Sequence, residues 1–130
     1  MLTNEVYVVG KIDRDIYKCI TEDILTDEVV LTEERVAHIK ERHPQDYEKY
    51  QKYMIKILEQ PDYIIQANKP NTGIVLKQIA ENGEKFQLVL RLKMREDKPE
   101  FKNSVITFLK INERTWKKYL RNKKILYKRD

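Results

Sequence analysis

Leu31-Thr32-Glu33-Glu34-Arg35-Val36-Ala37-His38-Ile39-Lys40-Glu41-Arg42-His43-Pro44 is the stretch around which the chain arranges itself, and it reads as one helix with defined ends. Thr32 suits the N-cap, because its hydroxyl can accept from a free N–H of the first turn. Glu33 and Glu34 put negative charge at the positive end of the helix dipole. Pro44 disfavours helical geometry at the residue before it, so the helix is expected to stop at about His43. At ~100° per residue, Val36, Ile39 and His43 share the stripe that would pack on a core. Arg35 and Arg42 lie on one flank, with His38 further round. Both histidines of the chain are here. A histidine at the end of a buried stripe, beside two arginines, suits a site that handles phosphate. The same residues fit a plainer account, with His43 held at the helix C-terminus by the dipole and His38 solvated.

Downstream, Tyr47, Tyr50, Met54, Ile57 and Leu58 recur at helical spacing and predict a second helix over about 46–59, ended by Pro61. The period then changes to two. Tyr63–Asn68 and Ile74–Ile79 read as strands joined by the turn Lys69-Pro70-Asn71-Thr72-Gly73, and Asn82-Gly83 marks a tight hairpin turn. In the next strand, Phe86–Lys93, the residues Phe86, Leu88, Leu90 and Leu92 share one face, while Gln87, Val89, Arg91 and Lys93 share the other. Ser104–Ile111 has little polar alternation, which predicts a central fourth strand. Asn112 can cap a short helix over about 113–121, and Ile125-Leu126-Tyr127 could form an edge strand. Upstream, Val6–Ile12 and Ile16–Ile20 flank the turn-forming Asp13-Arg14-Asp15 and predict an N-terminal hairpin. The expected fold is therefore α+β, with two N-terminal helices and a four-stranded antiparallel sheet. One domain of 130 residues is expected, divided as a β appendage (1–28), a core (29–111) and a basic end (112–130).

The net charge of +5 is unevenly placed: residues 114–130 carry +7, which leaves −2 on the rest. Lys117, Lys118, Lys123 and Lys124 belong to this end, and a concentrated basic end suits a polyanion such as nucleic acid. A solvated tail that only aids solubility is the alternative. Trp116, Tyr119 and Tyr127 are interleaved with the charges, where they could stack on bases or pack a terminal helix. The single cysteine, Cys19, excludes an internal disulfide and any cysteine-based zinc site. No apolar run approaches the ~18–20 residues that span a bilayer. Met1-Leu2-Thr3-Asn4-Glu5 shows no secretory pattern, so a cytoplasmic protein without a membrane partner is expected.

Motifs that need a cofactor are missing. Gly10, Gly73 and Gly83 lie far apart, so no phosphate-binding glycine loop forms. The step from His38 to His43 splays the rings by about 140° on one helix, which disfavours joint metal binding. What remains is a set with neither metal nor cofactor: His43, His38, Arg42, Arg35, Arg91 and Lys93 on one strand face, and Thr107 on the next strand. Lys110, on that same strand, adds a further cation for nucleic acid. Attack of a ribose 2′-OH on the neighbouring phosphate needs a proton acceptor, a proton donor and cations for the developing charge. Histidine, with an unperturbed pKa near ~6.5, can serve as acid or base. Arginine offers a fork for phosphate oxygens, and a threonine hydroxyl can orient the phosphate.

The Arg42-His43-Pro44 helix ending, the Pro61-Asp62 step after the second helix and Val105-Ile106-Thr107 after the strands resemble the phage-type members of the barnase–EndoU–colicin–RelE superfamily of small nucleases. The resemblance covers about 29–111. It implies a helical layer on a four-stranded antiparallel sheet, and metal-independent RNA cleavage leaving a 2′,3′-cyclic phosphate. It points to His43, Arg42 and Thr107, with His38 and Arg91 matching less specifically. It also implies a phage, mobile-element or toxin setting, in which an inhibitor or immunity protein would be a partner. A nuclease-like fold kept only to bind RNA or protein is the competing reading.

Overall fold

The computed structural model describes residues 5–130; the reading of the N-terminus as free of a secretory pattern falls on Met1–Asn4, outside the described residues. Its centre is a seven-stranded sheet. From edge to edge this runs β1 (Val6–Lys11), β2 (Glu28–Thr32), β6 (Asn103–Ile111), β5 (Lys85–Arg91), β4 (Thr72–Gln78), β3 (Tyr63–Gln66) and β7 (Ile125–Lys128). All neighbours are antiparallel except β2 and β6, which are parallel. The four strands read from the sequence are β3 to β6, and the α+β class holds. The sheet is wider than expected because three more strands join it: the predicted edge strand β7, and β1 and β2 at the other side.

The N-terminal hairpin is not formed. The Asp13 carboxylate accepts from the Asp15 N–H at 2.9 Å and caps a short helix, α1 (Arg14–Tyr17). Ile16 and Tyr17 are therefore helical, and β1 finds its partner in β2 instead. Tyr17 is wholly buried, and its hydroxyl donates to the Leu58 carbonyl at 2.7 Å. Burial pushes its phenol pKa upward, so it stays a neutral donor. Cys19 packs against the same core, and burial raises its thiol to about 11, too high for a nucleophile at neutral pH.

The first helix forms as read: α2 (Glu33–Arg42) has Thr32 as N-cap, its hydroxyl accepting from the Arg35 N–H at 3.2 Å. His43 is the C-cap residue, and its N–H donates to the Ile39 carbonyl at 2.7 Å. The expected second helix is broken into α3 (Pro44–Tyr50), a 3₁₀ turn (Gln51–Tyr53) and α4 (Met54–Glu59). Pro44 occupies the first turn of α3, where its missing N–H costs nothing. The break leaves most of the expected stripe buried: Tyr50, Met54, Ile57 and Leu58 are buried, while Tyr47 is only half-buried against the same core.

These helices and α1 cover one sheet face, packing on Phe86, Leu88, Leu90, Val105 and Phe108. On the other face lies α5 (Glu113–Asn122), capped by Asn112, whose carbonyl oxygen accepts from the Thr115 N–H at 2.8 Å. Trp116 of α5 packs with Ile65, Leu76 and Ile111. The helix reaches over only part of this face. Where Thr72, Val89, Arg91 and Thr107 lie, the sheet stays open.

Candidate active site

Register decides which side chains meet on the open face. Val89 pairs with Ile74 on one side and Thr107 on the other, and Thr72 pairs with Arg91. Residues directly across neighbouring strands project to the same side. Between Thr107 and Val105, β6 carries one extra residue, Ile106, so the ladder shifts there. Such a bulge re-aims side chains. Here it lets Ile106 and Thr107 line one cavity together. β2 pairs with β6 only at Asn103 and Ser104; beyond them α2 packs along β6 and delivers Arg35. Asn68 and Lys69 arrive on the β3–β4 turn.

The cavity holds about 500 Å³. Its floor is apolar, from Ile74, Val89 and Ile106, and its rim carries Arg35, Lys69 and Arg91 with no lining carboxylate. Such a site favours an anion attached to a flat apolar group. The three cations differ in how free they are. Arg91 makes a two-point ion pair with Asp97, at 2.8 Å and 3.0 Å, and contacts the Met94 sulfur at 3.5 Å. Arg35, Lys69 and the Thr107 hydroxyl have no side-chain partner among the described residues.

The Arg91 guanidinium, helped by the Met94 N–H, holds the Asp97 carboxyl down at about 2. A depressed carboxylate adds stability above its unfolded pKa and loses it as pH falls through the folded value. Acid should therefore release the Asp97 contribution between about pH 4 and pH 2. Asp97→Asn should destabilise the protein at pH 7, and its deficit against wild type should shrink across that window in acid-unfolding curves. A constant deficit would mean that the pair is not what depresses Asp97.

Of the residues singled out in the sequence, Arg35, Arg91 and Thr107 meet in this cavity, and the others do not line it. His38 stands one helical turn beyond Arg35, with Arg42 a further turn on, so the three share one side of α2. His43 follows the buried Ile39 stripe to the α2–α3 corner, and its side chain makes no capping hydrogen bond for α3. Lys93 is drawn into its own loop, its ammonium donating to the Pro99 carbonyl at 2.8 Å. Lys110 points to the opposite sheet face, where it pairs with Glu84 at 3.0 Å and lies over the Tyr50 ring. Lys117 pairs with Glu113 at 3.8 Å, and Lys118 is exposed on α5. Lys123 and Lys124 line a separate cavity at the α5–β7 junction. Trp116 is buried edge-on against Tyr63, so its ring is not free to stack on a base.

The family described as phage-Barnase-EndoU-ColicinE5/D-RelE like nuclease2 matches residues 6–128. The chain belongs to that family. The match extends beyond the 29–111 of the resemblance at both ends, taking in β1 and α1 on one side and α5 and β7 on the other. No curated protein and no solved structure shows significant similarity to the chain. Among the described residues, no group of three or more His, Cys, Asp or Glu side chains converges to hold a metal ion, and no helix is long and apolar enough to cross a membrane.

Sequence reasoning missed Asn68, Lys69, Thr72 and Asp97. The turn Lys69–Gly73 was legible as a turn, yet nothing local shows that it overhangs Arg91. Asp97 lies in the polar loop before Pro99, and its pairing with Arg91 depends on how that loop folds back.

Proposed function

We propose that this family member is an endoribonuclease that uses the open-face cavity to cleave RNA by attack of the 2′-OH on the adjacent phosphate. The observation that supports this is the acid-free cationic rim over an apolar floor, with the Thr107 hydroxyl and the Arg35 guanidinium both unengaged. A base would rest on Ile74, Val89 and Ile106, and its phosphate would lie at Arg35. In the reaction O2′ bonds to phosphorus as the P–O5′ bond breaks. The 2′-OH proton passes to a general base and a general acid protonates O5′, giving a 2′,3′-cyclic phosphate and a 5′-OH end. Arg35 and Arg91 would hold the negative charge that builds on the phosphorane oxygens, and Thr107 would donate to one of them. His38, on the same side of α2 as Arg35, is the first candidate for proton transfer, and His43 the second.

Incubation with mixed-sequence RNA in EDTA, with product ends analysed, tests this reading beside His38→Ala and His43→Ala. The expected result is cyclic-phosphate ends from the wild type and a loss of about 10²–10⁴-fold in the variant whose histidine transfers the proton. Cleavage unaffected by either substitution would remove histidine from the mechanism. A second reading, a binding module on a nuclease-like fold, is favoured by the absence of both histidines from the cavity lining. RNA that binds at the cavity and is never cut, across many sequences, would establish that reading instead.

A further inference from the structure

The open-face cavity has a neighbour. A second one, of about 410 Å³, lies between the end of β3 and the junction of α5 with β7, and Ala67 and Asn68 line both. The far cavity is lined by Lys123 and Lys124 together with Gln66, Asn68 and Asn122, again with no acidic residue in its lining. Neither lysine has an ion-pair partner among the described residues. The junction is anchored, because the Gln66 N–H donates to the Lys124 carbonyl at 2.9 Å. The two cationic points are thus fixed to one sheet.

Resting on the ribonuclease reading, we propose that the substrate is a single-stranded RNA that runs from the open-face cavity across Asn68 to the α5–β7 junction. There Lys123 and Lys124 hold a second stretch of its phosphates. The span follows from the sheet order. From Arg91 on β5 to the start of β7 is three strand steps, about 14 Å at ~4.8 Å each. A strand whose bases leave their stack is more extended than the ~3.4 Å per nucleotide of a stacked helix, so this corresponds to at most about four nucleotides. The apolar floor favours a single strand, since a base must leave its stack to lie there. The far point favours phosphate over base recognition. Its amides and ammonium groups suit a backbone, and the nearby Trp116 ring is buried.

The test uses fluorescent RNAs of two, four and eight nucleotides, with wild type and the Lys123→Gln/Lys124→Gln double variant, reading KM for cleavage and anisotropy with uncleavable 2′-deoxy versions. In wild type, KM and the dissociation constant should fall between two and four nucleotides or more. In the double variant that fall should be lost, with KM for the eight-nucleotide RNA raised by about tenfold and the salt slope of binding reduced by about 1.4. A variant that keeps the full gain with length overturns the track, and so does equal affinity for a duplex of the same length. If no RNA is cleaved, the ribonuclease reading fails by itself, and a length gain in anisotropy that disappears in the variant still establishes the track.

Discussion

Arg35→Ala should lower the RNA cleavage rate by about 10²–10³-fold, the cost of removing one preorganised donor from a developing oxyanion. The expectation rests on how differently the rim cations are held. Arg91 has given two of its N–H groups to Asp97, and that carboxylate offsets its charge. Arg35 keeps its whole fork for the cavity. Its backbone N–H is used by the Thr32 cap, and this survives the substitution. Stability should therefore change by no more than about 0.5 kcal/mol, as for a surface position with no partner. Arg35→Lys should recover only part of the rate, because an ammonium lacks the planar two-point geometry. Single-turnover rates on one RNA, beside thermal melts, separate chemistry from folding. Wild-type cleavage by Arg35→Ala would take the active site away from this cavity.

Local chemistry explains what the sequence made legible and what it hid. The α2 ends were readable because Thr32 and Pro44 act within a single turn. The alternation in β5 was readable because its two faces meet different environments, a core and an open face. The β4–β5 register was not. A two-residue Asn82-Gly83 turn would set Ile74 opposite Arg91. The hairpin instead closes between Ile79 and Glu84, with Gly83 at a positive φ of 72°, and this brings Thr72 opposite Arg91. The parallel pairing of β2 with β6 joins segments about seventy residues apart, and no turn signal announces such a contact. Arg35 was visible as a helix flank, but its meeting with Thr107 depends on that pairing and on the Ile106 bulge. The site is assembled from long-range register, so the sequence named several of its residues without showing which of them converge.

Asp62→Ala should cost about 3 kcal/mol of stability, because it strands a buried charge. The Asp62 carboxylate accepts from the Lys77 ammonium at 3.3 Å and from the Gln78 N–H at 2.8 Å, with Arg129 at 3.6 Å. Lys77 is only 3% exposed, so without Asp62 its ammonium has no solvent to turn to. For a chain of this size the melting temperature should fall by about 10 °C. Asp62→Ala combined with Lys77→Met should recover most of the loss, since exchanging a buried ion pair for apolar groups is often neutral or better. Asp62→Asn should fall between the two, keeping an acceptor for Gln78 but losing the charge. Asp62 lies away from the open-face cavity, yet Pro61-Asp62 was one of the features that marked the family resemblance. Recovered melting temperature and wild-type cleavage in the double variant would make that step part of how the β3–β4 hairpin and β7 are held together. A folded double variant that cleaves poorly would bring Asp62 into the chemistry instead.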